Sequence, residues 1–370
     1  MIGPSPYVLI NMGARYQPCM HSMAEIQGSS TTISWPCPNA TSLTGNSVTC
    51  DLSTLCGFSG VPDPHPGGSV NDSPMPNQWF RFIVPIFLHA GLVHIGFNLL
   101  LQLTLGRDME KAIGPIRFTL VYFSAGIFGF VLGGNFAANG IASTGCSGSL
   151  FGILALTLLD LLYNWNDRPK PVKDLLFIIF DVAIAFVLGL LPGLDNFSHI
   201  GGFLMGIVLG ICILRSPPAL RRRMGEADAP YGAAVPPRDG GTREGIVAFA
   251  KQPAGFFQGR RGLWWLWLLV RAGALLGIIV GFIVLLKNFY VWRTGCSWCK
   301  YLSCLVGQNI LSSACPILIA PQPINDWCTL GQLSLTTTTG SNNSKRASLL
   351  EITHQVFQAG MPAHPAWNDW

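Results

Sequence analysis

Two short stretches of this sequence place a hydroxyl and an imidazole beside glycines, each at the start of an apolar run. The first, residues 143–152, reads Ser-Thr-Gly-Cys-Ser-Gly-Ser-Leu-Phe-Gly and contains Ser147. The second, residues 198–206, reads Ser-His-Ile-Gly-Gly-Phe-Leu-Met-Gly and contains His199. An imidazole within hydrogen-bond reach of a serine can remove the hydroxyl proton as a general base and later return it to a leaving amine. Ser147 and His199 are therefore candidates for a catalytic pair that performs acyl transfer.

A third polar group lies upstream in another apolar stretch, where His94 and Asn98 are four residues apart. Residues with this spacing share one face of a helix. Their side-chain donors, together with the backbone N–H of Ser147, could stabilise the oxyanion of a tetrahedral intermediate, each by about 2.7–4 kcal/mol when well aimed. His89 lies five residues before His94, off that face, and we expect it to support the approach to the helix.

Other interpretations of these polar residues stay open from the sequence. Ser, His and Asn side chains in membrane helices commonly hold helices together through hydrogen bonds. Histidines also bind metals, but His94 and His199 have no third strong ligand nearby and no His-Glu-x-x-His motif occurs, so we expect no metal and no cofactor. Cys146 would allow a cysteine enzyme, although the residue that the glycines flank is Ser147. The stretch is not the nucleophile elbow of soluble hydrolases, because its final glycine is missing and no strand precedes it.

The composition places these residues in a membrane protein. The 370-residue chain is 49% hydrophobic and only 11% charged, and its mean hydropathy is +0.41. Soluble domains carry about 25% charged residues, so we expect an all-α polytopic membrane protein and no nucleic-acid partner. Its apolar stretches predict six membrane helices, several shorter than the ~20 residues of a full span. These segments are A 92–106, B 117–135, C 146–163, D 175–192, E 199–214 and F 263–286.

Basic residues alternate sharply between the connections of these segments. The A–B and C–D connections hold three Lys or Arg residues each and the E–F connection holds nine, whereas B–C and D–E hold none. The positive-inside rule places the basic connections in the cytosol and both ends of the chain outside it. Segments A, C and E then begin on the non-cytosolic side, so that His94, Ser147 and His199 lie at one depth of the membrane.

Glycine spacing predicts that segments C and E pack together. Both carry small-xxx-small faces, which let two helix backbones approach closely. Packing these faces against each other would bring Ser147 within hydrogen-bond reach of His199. The glycines of the two faces are Gly148, Gly152, Gly202 and Gly206.

The base needs a group that orients its ring. Phe151, one helical turn below Ser147, could stack on the His199 imidazole and hold it. A carboxylate for this purpose is not evident, because the nearby Asp195 is expected in an exposed loop.

Taken together, these residues resemble the rhomboid family of intramembrane serine proteases, and the resemblance extends over residues 79–215. The motifs that carry it are Gly-Cys-Ser-Gly at 145–148, the His-x-x-x-Asn of 94–98, His-Ile-Gly-Gly at 199–202, Trp-Phe-Arg-Phe at 79–82 and Gly-Arg-Asp-Met-Glu at 106–110.

This resemblance implies a rhomboid-like helix bundle in which Ser147 and His199 form the catalytic dyad and His94 and Asn98 stabilise the oxyanion. The implied substrates are single-pass membrane proteins, cut in or near the transmembrane segment, close to the lumenal face and surrounded by membrane lipid. Segment F, an extra helix after the core, is similar to the eukaryotic secretase type, and the basic loop and Cys-rich tail have a fungal character. We therefore expect a multi-pass protein of the secretory pathway, in the Golgi, endosome or plasma membrane.

Five segments, A to E, match the six-helix core of that family, while its first helix has no counterpart here. We expect Met1 to be an internal methionine of a longer natural chain. We also expect this chain to be less stable and less active than one extended upstream by ~20–25 apolar residues. Because this helix is missing, a second interpretation stays open, in which the protein is a catalytically inactive relative that binds transmembrane clients. A transporter that uses His94 and His199 as a proton relay is a further alternative, although no inverted repeat supports it.

The chain divides by composition into five regions. They are a Cys-containing region 1–78, the catalytic membrane core 79–215, a basic cytosolic linker 216–262, an additional transmembrane helix 263–287 and a Cys-containing, partly disordered tail 288–370.

The two outer regions have features of an oxidising, lumenal setting. Residues 1–78 are polar and loop-like, with four cysteines, two glycosylation sequons and a single basic residue, Arg15. In the tail, the Cys-x-x-Cys of 296–299 together with Cys304, Cys315 and Cys328 suggests disulfides whose pairing stays open, and a zinc site at the Cys-x-x-Cys pair is the alternative. Within the additional helix, Arg271 could face either the bundle or the cytosolic side.

Overall fold

The computed structural model of the chain describes residues 3–39, 49–137, 139–189, 195–224, 261–296, 299 and 336–337. The α-helices within these residues are α1 Pro6–Asn11, α2 Ala24–Gln27, α3 Leu52–Cys56, α4 Leu92–Leu101, α5 Arg107–Ile113, α6 Pro115–Phe136, α7 Ser147–Tyr163, α8 Pro171–Gly189, α9 Asn196–Ile213, α10 Pro218–Met224 and α11 Gly262–Lys287. The strands are β1 Ile33–Pro36, β2 Thr49–Cys50 and β3 Thr336–Thr337, and β1 pairs antiparallel with each of the other two. Short 3-10 turns cover Gln17–Cys19, Trp79–Phe82, Val84–Phe87 and Trp165–Asp167.

Long apolar helices dominate the part of the chain that the structure describes. By length and composition, α6, α9 with its continuation into α10, and α11 can each cross a membrane. Helix α7 is apolar but has only 17 residues. The predicted segments B, C, E and F agree with α6, α7, α9 and α11 to within three residues at each end. The predicted class, an all-α polytopic membrane protein, is therefore confirmed.

The predicted segments A and D differ from the helices that form. Segment A divides into α4 and a π-helical turn at Gln102–Gly106, and α5 follows it within the predicted A–B connection. Within that turn Thr104 Oγ1 donates a hydrogen bond to Leu100 O over 2.7 Å, and back-bonding of this kind commonly bends helices. Helix α8 begins at Pro171, earlier than expected, because proline suits the first position of a helix.

Helices α6, α7 and α9 form the centre of the bundle. A side chain at Gly202 would collide with the backbone of Gly148, and one at Gly206 with the backbone of Gly152, so α7 and α9 touch along their glycines. Gly201 of α9 lies against Gly129 of α6, and Gly152 of α7 lies against Ala125 of α6, so the three helices contact one another pairwise. Buried apolar side chains from all three helices fill the core between them: Val121, Ala125, Ile153, Leu156, Met205 and Leu209.

Residues 3–39 and 49–78 form a folded unit that we call the N-terminal cap. It contains α1, α2, α3, β1 and β2 around its own apolar core, in which Ile10, Trp35 and Leu55 are buried. Disulfides Cys19–Cys56 and Cys37–Cys50 cross-link it. The structure thus differs from the loop-like region that the sequence predicts. Its order comes from buried side chains and cross-links between distant positions, which leave no periodic pattern in the sequence.

Helix α11 is attached to the bundle by polar contacts at two points. Arg271 Nη2 donates a hydrogen bond to Leu214 O at the end of α9, so the arginine faces the bundle. Asn135 Nδ2 of α6 donates to Leu285 O over 3.1 Å. Both contacts satisfy polar groups that would otherwise face lipid.

A disulfide of the tail joins Cys296 to Cys299, a pairing that the sequence leaves open, so these two cysteines do not form the alternative zinc site. Cys304, Cys315 and Cys328 lie outside the described residues, as do the linker residues 225–260 and the tail predicted to be disordered.

Candidate active site

The structure brings the predicted nucleophile and base together. Ser147 is the first residue of α7, and His199 lies in the first turn of α9. Ser147 Oγ is 2.8 Å from His199 Nε2, which is a hydrogen-bond distance. The imidazole is buried, with 9% of the residue exposed, so bulk water does not compete for this contact. The pair lies at the end of the bundle that the N-terminal cap contacts.

The turn before Ser147 depends on Gly145. Its φ is +121°, which side chains other than glycine rarely adopt. Its N–H donates to Pro85 O over 2.9 Å and so ties the turn to the segment that leads into α4. Ser147 consequently enters α7 with its backbone N–H in the first helical turn, where N–H groups have no partner within the helix.

The glycines of α7 and α9 set the separation of Ser147 and His199. The structure places Gly148 and Gly152 of α7 directly against α9, at Gly202 and Gly206 respectively. A Cβ atom at either α9 position would overlap a carbonyl oxygen of α7. Two helices that carried larger residues here would lie farther apart, and the hydroxyl and imidazole would not meet.

The ring of His199 is oriented by Phe151. The two rings are stacked, with centroids 4.5 Å apart and 8° between their planes. The remaining nitrogen, Nδ1, is buried and has no hydrogen-bond partner within the described residues. Since Nε2 faces the Ser147 hydroxyl, the tautomer in which Nδ1 carries the proton leaves Nε2 free to accept one.

Asp195 is buried rather than exposed, which corrects the expectation from the sequence. Only 5% of its surface is accessible. It caps α9, because its Oδ1 accepts hydrogen bonds from the N–H groups of Phe197 and Ser198. Its Oδ2 accepts from Arg15 Nη2 over 2.9 Å. Asp195 therefore fixes the start of the helix and does not contact the imidazole as the carboxylate of a triad would.

His94 and Asn98 lie together on α4, next to the turn that precedes Ser147. A side chain at Gly145 would contact the His94 ring, so the imidazole lies against the Gly145 backbone. His94 Nδ1 accepts a hydrogen bond from the N–H of Ala90 over 3.3 Å, which leaves its Nε2 as a proton donor. Asn98 is buried, and its Nδ2 donates to the His94 carbonyl over 3.0 Å. Donors are thus available near the Ser147 turn.

Cys146 does not take part in the contact between Ser147 and His199. Its Sγ lies 3.6 Å from His89 Nε2, and the His89 ring in turn meets the edge of the His94 ring at 5.3 Å between centroids. His89 thereby supports the predicted donor group. Within the described residues, no three His, Cys, Asp or Glu side chains converge on one point.

The sequence analysis missed Arg15 as a residue of this site. It was noted only as the single basic residue of the first 78 positions. Its side chain is fully buried against Asp195. A lone arginine in a region without other cations is a signal that it has a specific partner, since buried arginines are rare unless paired.

Comparison with known proteins adds the family. A sequence model described as the rhomboid domain matches residues 76–216, the range that contains α4 to α9. The chain belongs to the rhomboid family. Three relatives in that family are instructive.

Rhomboid-type serine protease 2 of Emericella nidulans is 53% identical over 347 residues, which cover 90% of this chain and 65% of that protein. RHOMBOID-like protein 4 of Arabidopsis thaliana is 34% identical over 229 residues, or 62% of this chain and 52% of that protein. Inactive rhomboid protein 1 of Homo sapiens is 29% identical over 231 residues, or 62% of this chain and 22% of that protein. This chain thus spans less than two thirds of the length of each of these relatives.

Proposed function

We propose that this chain is an intramembrane serine endopeptidase with Ser147 and His199 as its catalytic dyad. The observation that supports this most directly is the 2.8 Å separation of Ser147 Oγ and His199 Nε2 in a buried setting. The name of the Emericella nidulans relative, a rhomboid-type serine protease, supports the same class of reaction.

The proposed reaction begins when His199 Nε2 accepts the Ser147 hydroxyl proton and Oγ attacks the carbonyl carbon of a peptide bond. The tetrahedral intermediate collapses, the C–N bond breaks, and His199 returns the proton to the leaving amine. An ester remains on Ser147. A water molecule then gives a proton to His199 and attacks the ester carbonyl. The ester C–O bond breaks, His199 returns the proton to Ser147 Oγ, and the second product leaves as a carboxylic acid. Stacking on Phe151 keeps the imidazole in position for both proton transfers.

Three donors are suited to the oxyanion of the intermediate: the backbone N–H of Ser147, His94 Nε2 and Asn98 Nδ2. The His94 nitrogen carries a proton because Nδ1 is occupied by the Ala90 N–H. Fixed donors of this kind contribute about 2.7–4 kcal/mol each to transition-state stabilisation when aimed at the developing charge.

We propose that the substrates are single-pass membrane proteins, cut in or near their transmembrane segments. Exposed apolar side chains on the outer helices suit a lipid environment around the bundle, including Phe97, Leu100, Phe180 and Leu276. The alternation of basic connections supports an active site on the non-cytosolic side, and the two disulfides of the N-terminal cap suit an oxidising compartment of the secretory pathway.

A second candidate function is binding of transmembrane clients without cleavage. The 29% identity to inactive rhomboid protein 1 of Homo sapiens favours it. Removal of the Ser147 hydroxyl distinguishes the two functions, because proteolysis requires this group and client binding does not.

The deciding experiment uses the full chain, purified and reconstituted in liposomes with a single-pass substrate whose transmembrane helix carries a helix-destabilising residue. We expect the protein to cut this substrate, mass spectrometry to locate the cut in or near the membrane segment, and Ser147→Ala to abolish cleavage while it still co-purifies with the substrate. If the unaltered protein and Ser147→Ala both retain the substrate and neither cuts it, client binding is the function.

A further inference from the structure

Arg15 is joined through its backbone to the segment that leads into α7. Its N–H donates to Ser143 O over 3.0 Å, and the N–H of Ser143 donates back to Arg15 O over 3.0 Å. This pair is an isolated antiparallel bridge between the N-terminal cap and the bundle. Ser143 precedes Ser147 by four residues. The bridge therefore positions the start of the turn that carries the nucleophile.

The side chain of Arg15 reaches the other half of the dyad. Its Nη2 donates to Asp195 Oδ2 over 2.9 Å, and the side chains of both residues are at most 1% exposed. Asp195 precedes His199 by four residues and caps α9 through the N–H groups of Phe197 and Ser198, over 3.0 and 3.2 Å. Ser198 Oγ donates to the same carboxylate over 2.6 Å. The carboxylate thus fixes the turn of α9 that carries His199.

Within the part of the chain that the structure describes, Asp195 is the one acidic side chain that pairs with this arginine. Its Nε and Nη1 are buried and have no hydrogen-bond partner within the described residues. A buried charge of one sign is costly unless it is paired, so Arg15 and Asp195 hold each other in one arrangement.

The N-terminal cap keeps Arg15 itself in place. Arg81 Nη1 donates to the carbonyl of Ala14 over 2.6 Å, and the Cys19–Cys56 disulfide closes the chain four residues later. Gln17 Nε2 donates to Gly134 O of α6 over 2.6 Å. Contacts within the cap and with α6 therefore fix the position of Arg15 relative to α7 and α9, the helices that carry Ser147 and His199.

We infer that Arg15 is a positioning residue for the catalytic dyad, through its backbone for Ser147 and through Asp195 for His199. This inference rests on the function proposed above. The N-terminal cap would then contribute to catalysis, because one of its residues sets the relative position of Ser147 and His199. A misplacement of reacting groups by about 1 Å can slow a reaction about 100-fold. Loss of the ion pair should therefore lower kcat, while KM for a substrate bound elsewhere on the bundle should change little.

The test compares Arg15→Met, Asp195→Asn and the variant that combines them, in the full chain. Asparagine still caps a helix, so Asp195→Asn removes the charge of the pair and keeps the cap. Active sites are titrated with a fluorophosphonate, and kcat and KM are measured per titrated site on a single-pass substrate. We expect each single variant to lower kcat about 10- to 100-fold with KM within about twofold. The combined variant should be no worse than either single variant, because both changes remove the same interaction. Arg15→Lys should recover part of kcat.

Arg168→Met is the matched control, because it is the same substitution at an arginine that is also paired with an aspartate. Arg168 Nη2 donates to Asp160 Oδ2 over 2.6 Å, and Asp160 lies in the last turn of α7, at the opposite end from Ser147. Arg168→Met should leave kcat per titrated site within about threefold. The inference is overturned if Arg15→Met keeps its kcat, or if Arg168→Met loses as much as Arg15→Met.

A second measurement does not need proteolysis. In a Ser147→Cys background, an imidazole within reach of the thiol promotes the thiolate and hence its alkylation by iodoacetamide at pH 7, which mass spectrometry follows at that one site. Adding Arg15→Met should slow this alkylation at least fivefold, and adding Arg168→Met should not. If the unaltered chain cuts no substrate but Arg15→Met still slows alkylation, the protease assignment fails and the positioning by Arg15 stands. An equal alkylation rate with and without Arg15→Met refutes the positioning.

Discussion

The ring of Phe151 lies parallel to the imidazole of His199, 4.5 Å away between centroids, and both side chains are buried. In the proposed dyad this contact takes the place that a hydrogen-bonded carboxylate has in a Ser-His-Asp triad. It restrains the plane of the ring without adding a charge to the membrane interior, where charged groups are expensive.

Phe151→Leu should lower kcat about 2- to 10-fold with little change in KM. Aromatic pairs contribute about 0.5–1.5 kcal/mol beyond their buried area, and without the stack the imidazole samples orientations that cannot accept the Ser147 proton. Steady-state cleavage of a model transmembrane substrate measures this. Phe177→Leu, the same change at an exposed position of α8, is the control and should be neutral. An equal loss of kcat in the two variants would show that the stacking of Phe151 on His199 does not contribute to catalysis.

Cys146→Ala should keep cleavage within about threefold, and His199→Ala should reduce it by about 10⁴-fold or more, since nucleophile and base act as one unit. The reason for the difference is geometric: the Cys146 thiol faces His89, whereas the Ser147 hydroxyl faces His199. Initial rates in detergent or liposomes test it, and circular dichroism checks that each variant is folded. A Cys146→Ala variant without activity would reopen the cysteine mechanism.

Removal of the side-chain donors on α4 should slow the chemical step. We expect His94→Ala and Asn98→Ala each to lower kcat about 10²- to 10³-fold, because one preorganised oxyanion donor is worth about 2.7–4 kcal/mol. Asn98→Ala also removes the hydrogen bond to the His94 carbonyl, so the two effects should be less than additive in the combined variant. Single-turnover rates isolate this step from binding. Variants that raise KM and keep kcat would show a binding role instead.

Gly202→Ala should weaken both stability and activity. Its methyl group would overlap the Gly148 carbonyl and push α9 away from α7, and overpacking of this kind costs about 1–3 kcal/mol. The Ser147–His199 hydrogen bond would lengthen with it. Gly277→Ala is the matched change on α11, where an added Cβ meets nothing within 4 Å. Thermal unfolding and cleavage rates should separate the two variants, and identical behaviour would argue against a glycine interface.

Several features of this protein follow from the chain alone. Composition and basic-residue alternation identify a helical membrane protein, because hydrophobic length and charge act locally along the sequence. The contact between α7 and α9 can also be predicted from the sequence, because glycines four residues apart form a helix face without Cβ atoms, which a second helix can approach closely. That spacing predicts a contact between Ser147 and His199, and in the structure they are 2.8 Å apart.

The tertiary structure alone reveals the partners of single polar residues. Asp195 has the sequence context of an exposed loop, yet it is buried against Arg15, 180 residues earlier in the chain. Arg271 faces the bundle because one carbonyl at the end of α9 accepts its hydrogen bond. The fold of the N-terminal cap likewise depends on which cysteines pair. Such contacts join positions far apart in sequence, and neither periodicity nor composition encodes them. They form only when helix packing has removed water and each buried polar group must find a partner.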